Sequence, residues 1–244
     1  MLIGLAYADS RCDSRLAYYL KYYHPGKIGI QGTQKEIDAM MENASKKGTV
    51  QRWVNILNEK YPGSNSDTIC AFARAETGFY NLLCRKKEKS RIPIIGCSEA
   101  GFPSDMYKDE IDECIALRDA FTKKVLKLPL KEAEEVIQMA YDEYDPLSPA
   151  NIKSRLPDKL VAYYETQDKF AVKRIFKEAA NDEESSFLYL CDITHIDILY
   201  KNMLEILFQC AFKDLGVSIC PIVERLCDAD SYMAMDRVSR FKEL

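Results

Sequence analysis

Five short apolar runs, spread along the whole chain, are the feature that most restricts the fold of this 244-residue sequence. Each run is apolar almost throughout, whereas a strand with one solvent-exposed face alternates apolar and polar side chains. Unbroken runs of this length are typical of strands that are covered on both faces, as in parallel sheets. The runs are LIGLAY (2–7), KIGIQG (27–32), IPIIGCSE (92–99), SFLYLCDI (186–193) and VSICPIVE (217–224).

Helical patterns separate these predicted strands. Thr33 and Glu36 have the spacing of a capping box, which marks the start of a helix. Strands that alternate with helices form a largely parallel sheet with right-handed connections. We therefore predict an α/β fold in which helices flank a central, largely parallel sheet of about five strands. Four predicted helices cover 13–24, 33–47, 66–87 and 230–244.

The long segment between the third and fourth apolar runs contains no convincing strand. Its pattern predicts three amphipathic helices, over 104–126, 130–144 and 159–181. We therefore predict an α/β core made of residues 1–104 and 185–244. The all-helical insertion over 105–184 is predicted to form a lobe, a lid or an interaction surface.

Polar residues follow several of the predicted strands. Ligands of parallel sheets bind outside the carboxyl ends of the strands, so these residues are the first candidates for a binding site. The predicted ligand cleft contains Tyr7, Asp9, Gln31, Ser98, Glu99, Asp192, His195 and Glu224. Acidic residues just after strands are also common helix N-caps, and Asp9 and Asp192 both precede a predicted helix.

Composition restricts the partners and the compartment. The net charge of −4 gives no basic face for nucleic acid, and the short basic run at 85–91 ends a predicted helix, where it complements the dipole. The nine cysteines are scattered without a C-x-x-C pair, which favours free thiols in a reducing cytosol. No signal peptide and no membrane span is predicted. We expect a cytoplasmic protein.

Three segments follow one another in the order of motifs known from one protein family. The chain opens with a strand ending in Gly4–Tyr7, then a helix, a turn at Pro25 and a strand ending at Gln31. DITHIDIL (192–199) and ADSYMAMDRV (229–238) come later. Together they resemble the G-x-x-H motifs, the strand-end glutamate and the R-D-x-Y-M-A motif of the TraB/PrgY group. That group includes the TIKI metalloproteases and is related to the ChaN and erythromycin-esterase proteins.

The resemblance implies a metal-dependent hydrolytic site built from two histidines, a glutamate and an arginine. The corresponding positions here are Tyr7, His195, Gln31 and Ala229. Gln31 carries no charge and cannot act as a general base, a tyrosine is a poor zinc ligand, and an alanine offers no cation to an oxyanion. We therefore expect a degraded site in a non-catalytic protein without a cofactor. Its expected partner is a small ligand or peptide, and the sequence is also compatible with a homodimer.

The alternative is a hydrolase with a site rebuilt around His195, with Glu99 and Gln31 as further catalytic candidates. An oxygen-rich Mg²⁺, Mn²⁺ or Zn²⁺ site could use Asp9, Glu99, Glu224 and His195. A Cys-His site could pair His195 with Cys97, Ser98 or Cys191. Tyr7 and His195 could also ligate haem iron, which ChaN-like relatives bind.

His195 is one of only two histidines in the chain. Thr194 and Asp197 have capping-box spacing, which predicts that His195 occupies the first helical position. The positive end of the helix dipole would disfavour protonation there, so we expect a neutral imidazole that marks the cleft.

Overall fold

The computed structural model describes residues 1–6, 8–98, 107–143, 158–180, 186–212 and 223–234. Among these residues the strands are β1 Leu2–Leu5, β2 Lys27–Ile30, β3 Ile94–Gly96, β4 Phe187–Asp192 and β5 Val223–Arg225. They form one all-parallel sheet in the spatial order β3-β2-β4-β1-β5. The predicted α/β fold with a parallel sheet is confirmed. The part of the fifth run at 217–222 lies outside the described residues.

Helices cover the sheet. They are α1 Cys12–Tyr22, α2 Gln34–Ser45, α3 Thr49–Lys60, α4 Ser66–Lys89, α5 Lys108–Lys127, α6 Leu130–Glu143, α7 Asp158–Ala180 and α8 Ile196–Phe212. A short helix covers 228–234, and the rest of the predicted last helix, 235–244, lies outside the described residues. The capping box at the start of α2 is confirmed, because Thr33 and Glu36 each bond the other's backbone N–H.

The register brings the carboxyl ends of the central strands together. Leu5 at the end of β1 lies beside Asp192 at the end of β4. On the other side of β4, the Gln31 N–H donates to the Leu190 carbonyl at 2.9 Å. The edge that parallel sheets use for ligands is therefore formed mainly by β1, β2 and β4.

The main buried cluster combines the sheet with helices from both sides. Strand residues such as Ile3, Ile28 and Leu188 are fully buried in it. Helices α5, α6 and α7, which do lie between β3 and β4, contribute Val125, Ala133, Ile137, Tyr141, Ala171, Val172 and Ile175 to the same cluster. The helical region thus shares the core with the sheet.

A second, smaller cluster lies where α3 packs on α4, and we call it the α3–α4 cluster. Its buried members are Leu57, Tyr61, Ile69, Ala73 and Leu126, and the single tryptophan, Trp53, packs against them. Helix α3 was not among the predicted helices, although its apolar residues recur with helical spacing. No helix in the described part of the chain is long and apolar enough to cross a membrane.

Candidate functional site

A cavity of about 1040 Å³ opens at the carboxyl edge of the sheet, and we call it the cleft. Its floor is formed by residues that end strands, including Leu5, Ile30 and Leu190. Its walls are largely apolar and come from α2, α4 and α7, with Ile37, Met40, Phe72, Phe79 and Phe170. Helix packing on both faces of a parallel sheet leaves this edge open, so the cleft lies where ligands of such sheets bind.

Four of the eight predicted cleft residues line this cavity. They are Asp9, Gln31, Ser98 and Asp192. His195 and Glu224 are not among its lining residues. Tyr7 and Glu99 lie outside the described residues.

Gln31 and Ser98 are both engaged with the backbone of the cleft floor. The Gln31 Oε1 accepts a hydrogen bond from the Asp192 N–H at 2.7 Å. The Ser98 Oγ accepts one from the Gly32 N–H at 2.9 Å. The two side chains therefore hold the ends of β2, β3 and β4 together.

Asp192 caps the turn that carries His195. Its Oδ1 accepts hydrogen bonds from the Thr194 N–H at 2.7 Å and the Thr194 hydroxyl at 2.6 Å. A 3-10 turn therefore spans Ile193–His195, and α8 begins only at Ile196. The expected cap at Thr194, with His195 as the first helical residue, is wrong because Asp192 supplies the cap two residues earlier.

A glycine on β1 lets this turn lie directly on the sheet. A Cβ built at Gly4 would overlap the Ile193 side chain and lie 3.0 Å from that of Ile196. Any larger residue at this position would push the turn away from the strand and shift His195 with it.

His195 is buried and paired with a carboxylate, and we call His195 and Asp168 the histidine pair. Its Nδ1 lies 2.8 Å from Asp168 Oδ1 on α7, and both residues are under 5% exposed. The Tyr164 ring stacks on the imidazole with ring centroids 4.1 Å apart. Neither residue lines the cleft, and the pair joins α7 to the turn that precedes α8.

The pKa of His195 is shifted in the direction opposite to the expectation. Burial lowers the pKa of His195, but the charge and hydrogen bond of Asp168 outweigh burial and raise the pKa above its usual value. Burial likewise raises the pKa of Asp168. The direction is opposite to the one expected from the helix dipole, because Asp168 favours the protonated imidazole.

Asp9 belongs to a group of polar residues that we call the Arg15 cluster, formed by Asp9, Arg15, Tyr141 and Asp230. The Arg15 Nη1 donates to Asp9 Oδ2 at 2.7 Å, and its Nη2 donates to Asp230 Oδ2 at 2.7 Å. The Tyr141 hydroxyl donates to the same Asp9 oxygen at 2.8 Å. Asp9 Oδ1 accepts a hydrogen bond from the Arg11 N–H, but the N-cap of α1 is Arg11 and no side chain caps this helix, so the expected cap at Asp9 is wrong.

Glu224 lies in the middle of β5 rather than at its end, because it pairs with Ile3 in the register. Its Oε2 accepts a hydrogen bond from the Tyr19 hydroxyl at 2.5 Å, and its Oε1 accepts one from Tyr232 at 3.4 Å. Glu224 therefore binds α1 and the short helix over 228–234 to the edge strand, away from the cleft.

The described residues do not fit the metal site that the resemblance implies. Gln31 carries no charge and its amide oxygen is taken by the Asp192 N–H. Ala229, at the position of the arginine, is fully buried and has no donor atom in its side chain. Among the described residues, no three His, Cys, Asp or Glu side chains converge in an arrangement that could hold a metal ion.

The thiols near the cleft are poorly activated for nucleophilic attack. Burial raises the pKa of Cys97 to about 12 and the pKa of Cys191 well above its usual value. Their Sγ atoms each lie 3.7 Å from a backbone carbonyl, that of Ile95 and that of Ile3. A Cys-His mechanism needs a thiolate, which this burial disfavours.

The structure adds two polar residues that the sequence analysis missed, Glu76 in the cleft wall and Asp168 beside His195. Both lie on otherwise apolar helix faces. Asp168 follows Leu160 and Tyr164 at spacings of four residues and precedes Val172 by four. Glu76 lies between Phe72 and Tyr80 in the same way. A carboxylate inside an apolar helical stripe was the signal available in the sequence.

Comparison of the chain with known protein families, with curated proteins and with solved structures finds no match.

Proposed function

We propose that this chain is a TraB-like α/β protein with a degraded metal-hydrolase site that binds a small ligand in the cleft without catalysing a reaction on it. The observation that carries the proposal is the cleft itself, about 1040 Å³ of largely apolar cavity at the carboxyl edge of a parallel sheet. Small-molecule sites typically have about 300–1,000 Å³ and a few polar groups among apolar walls.

The polar groups of the cleft floor support binding rather than hydrolysis. Gln31 and Ser98 are used in backbone hydrogen bonds, and Asp9 is neutralised by Arg15. A general base or nucleophile has to be free to exchange a proton with the substrate. The polar groups that remain exposed to the cavity can orient a ligand by hydrogen bonding.

The experiment is binding of a neutral fluorescent probe, N-phenyl-1-naphthylamine, to the purified protein. Ala39 is exposed and lines the cleft, so Ala39→Trp places a large ring at the opening. We expect this variant to weaken probe binding by about tenfold or more, because the ring occupies space that the probe needs. Ala116→Trp, at an exposed position of α5 that does not line the cleft, is the matched control. Equal affinity in both variants would overturn the proposal.

The second candidate is a hydrolase built around His195, and the histidine pair is the observation that favours it. A histidine whose Nδ1 is held by a carboxylate is oriented as a general base would be. Hydrolysis of p-nitrophenyl acetate, with and without Mn²⁺ or Zn²⁺, separates the candidates. Turnover that is lost in His195→Gln would favour the hydrolase, and turnover unchanged in that variant would count against it.

We also propose that the protein is cytoplasmic and that its partner is a small ligand rather than a nucleic acid. The seven cysteines whose side chains the structure describes are free thiols, which suits a reducing compartment. The net charge of −4 supports a partner other than nucleic acid. Labelling of the thiols in intact cells with a membrane-permeant reagent would test the first point.

A further inference from the structure

Two carboxylates of the cleft have oxygen atoms without a hydrogen-bond donor. The first is Asp192, which lines the cavity and is only 8% exposed. Its Oδ1 caps the turn at Thr194, but its Oδ2 is buried and has no hydrogen-bond partner among the described residues. A buried carboxylate oxygen without a donor is unfavourable by itself, so a ligand group that reaches this oxygen with a donor would remove that cost.

The second carboxylate is Glu76 in the wall of the cleft. It lies on α4, lines the cavity and is partly buried. Within the described part of the chain, no hydrogen bond or ion pair joins it to another side chain. Burial raises the pKa of Glu76 to about 7, which is the expected result for a carboxylate without a compensating cation.

The remaining charged groups of the cleft are already engaged. Asp9 is paired with Arg15, and Glu36 accepts hydrogen bonds from the backbone and hydroxyl of Thr33 at 2.8 Å. Arg118 lines the cleft from α5, but it is exposed and makes an interaction of its own. The unmet groups of the cavity are therefore negative, and they are set among apolar walls.

We propose that the ligand of the cleft is a protonated amine with an apolar body. Its ammonium group would donate hydrogen bonds to Asp192 or Glu76, and its body would pack on Phe72, Phe79 and Phe170. This inference rests on the proposed ligand-binding function and names the chemical class of the ligand. An anionic head group would be repelled by both carboxylates, and a neutral head group could donate a hydrogen bond but would not compensate their charge.

The experiment measures displacement of N-phenyl-1-naphthylamine by octylammonium, octanol and octanoate. We expect octylammonium to displace the probe at concentrations about tenfold or more below those of octanol, with octanoate weakest, because charge-assisted hydrogen bonds discriminate by at least this factor. Equal displacement by octanol and octylammonium would overturn the amine assignment while leaving ligand binding intact. Absence of probe binding altogether would instead remove the proposed function.

Isosteric variants locate the ammonium group. Glu76→Gln and Asp192→Asn remove one charge each, and Asn at 192 keeps a side-chain oxygen for the cap. We expect at least one of them to abolish the preference for octylammonium over octanol while leaving the affinity for octanol within about twofold. Glu59→Gln, at an exposed position of α3, is the matched control. Preference retained in both cleft variants and in the double variant would overturn the assignment.

A pH series distinguishes Glu76 from Asp192 as the principal contact. With a pKa of about 7, Glu76 is about one-tenth ionised at pH 6 and nine-tenths at pH 8, so octylammonium affinity rises about tenfold over this range if Glu76 is the contact. The titratable groups that face Glu76 are the Cys12 thiol and the Tyr80 hydroxyl. The charge of Asp13 raises the pKa of Cys12, and the charge of Glu36 raises the pKa of Tyr80. Burial raises the pKa of Cys12 and of Tyr80, so both stay neutral in this range. If the octylammonium affinity does not change with pH and Asp192→Asn abolishes the preference for octylammonium over octanol, the ammonium contact is Asp192. If the affinity does not change with pH and Asp192→Asn keeps that preference, the proposal is overturned.

Discussion

The Arg15 cluster and the cleft carboxylates lie on the same edge of the sheet. The carboxylates of the Arg15 cluster are paired with a cation, whereas those of the cleft are not. In the Arg15 cluster, one guanidinium pairs with both Asp9 and Asp230, and Tyr141 adds a further hydrogen bond. In the cleft, Asp192 has a buried oxygen without a donor and Glu76 has no cation.

The difference shows how structural carboxylates can be told from carboxylates that are available to a ligand. A buried charge that the chain itself neutralises contributes to folding and offers nothing further to a ligand. A buried carboxylate without a partner costs stability and is expected to be kept for another purpose. The histidine pair is intermediate between these two cases, because the partner of the Asp168 carboxylate is His195, whose own charge changes with pH.

The largest expected change in the free energy of unfolding comes from the Arg15 cluster, where the carboxylates are neutralised. Arg15→Met leaves Asp9 as a buried, uncompensated carboxylate, and we expect a loss of about 3–5 kcal/mol in the free energy of unfolding. Arg11→Met is the matched control, because Arg11 also binds Asp230 but its side chain is 45% exposed. Its expected loss in urea unfolding is under about 1 kcal/mol. Similar small losses in both variants would show that the Arg15 cluster is not structural.

The histidine pair should give the next largest effect, with a marked pH dependence. His195→Gln is expected to cost about 2–4 kcal/mol at pH 6, since Asp168 loses its partner. The raised pKa of His195 means that its contribution is full below the unfolded pKa and is lost as pH rises through the folded value. The difference from wild type should therefore shrink as the pH rises above about 6.5 and through the folded pKa.

The titration of His195 can be followed directly by NMR. In a His24→Gln variant, His195 is the only imidazole in the chain. Its midpoint is expected above the ordinary value of about 6.5. A midpoint below that value would show that burial outweighs Asp168, and a stability difference that grows with pH would contradict the pairing.

Glu76→Gln should act in the opposite direction and stabilise the protein. Because burial raises the folded pKa of Glu76 to about 7, ionisation opposes folding at higher pH. We expect the variant to be more stable by about 2–3 kcal/mol at pH 8 and to match wild type near pH 4.5, where the carboxyl is protonated in the folded state. Equal stability at both pH values in thermal and urea unfolding would mean that another group compensates the charge.

The smallest effect is expected from Tyr141→Phe. This change removes one hydrogen bond to Asp9 but leaves Arg15 in place, so we expect a loss of about 1 kcal/mol. Tyr22→Phe, at a position that is 45% exposed, should leave the free energy of unfolding nearly unchanged. A loss as large as that of Arg15→Met would mean that the Tyr141 hydroxyl stabilises the Asp9 carboxylate as much as the Arg15 guanidinium does.

The fold was predictable from the sequence because strands that are covered on both faces are apolar throughout. The observed strands are shorter than the runs, as with Ile94–Gly96 inside 92–99, because hydrophobicity does not mark where pairing ends. Helix α3 was missed although its pattern is helical. It packs on α4 rather than on the sheet, so it has no place in the simple alternation of strands and helices.

The cleft floor was predictable from the rule that ligands bind at the carboxyl edge, which placed Gln31 and Asp192 correctly beside each other. The partner of His195 was not predictable from that rule. Asp168 lies on a helix assigned to a separate insertion, and only the packing of α7 on α8 brings it to 2.8 Å from the imidazole. Long-range contacts of this kind depend on helix docking, which local patterns do not encode.

The α3–α4 cluster gives the molecule an internal optical reporter. Trp53 is the only tryptophan, and Phe72 packs both on its cluster and on the main cluster while also lining the cleft. Tryptophan emission therefore follows one corner of the protein, whereas far-ultraviolet circular dichroism follows all of its helices. Coincident melting curves from the two signals would show that the corner and the sheet unfold together, and a shift in emission on filling the cleft would show that Phe72 connects them.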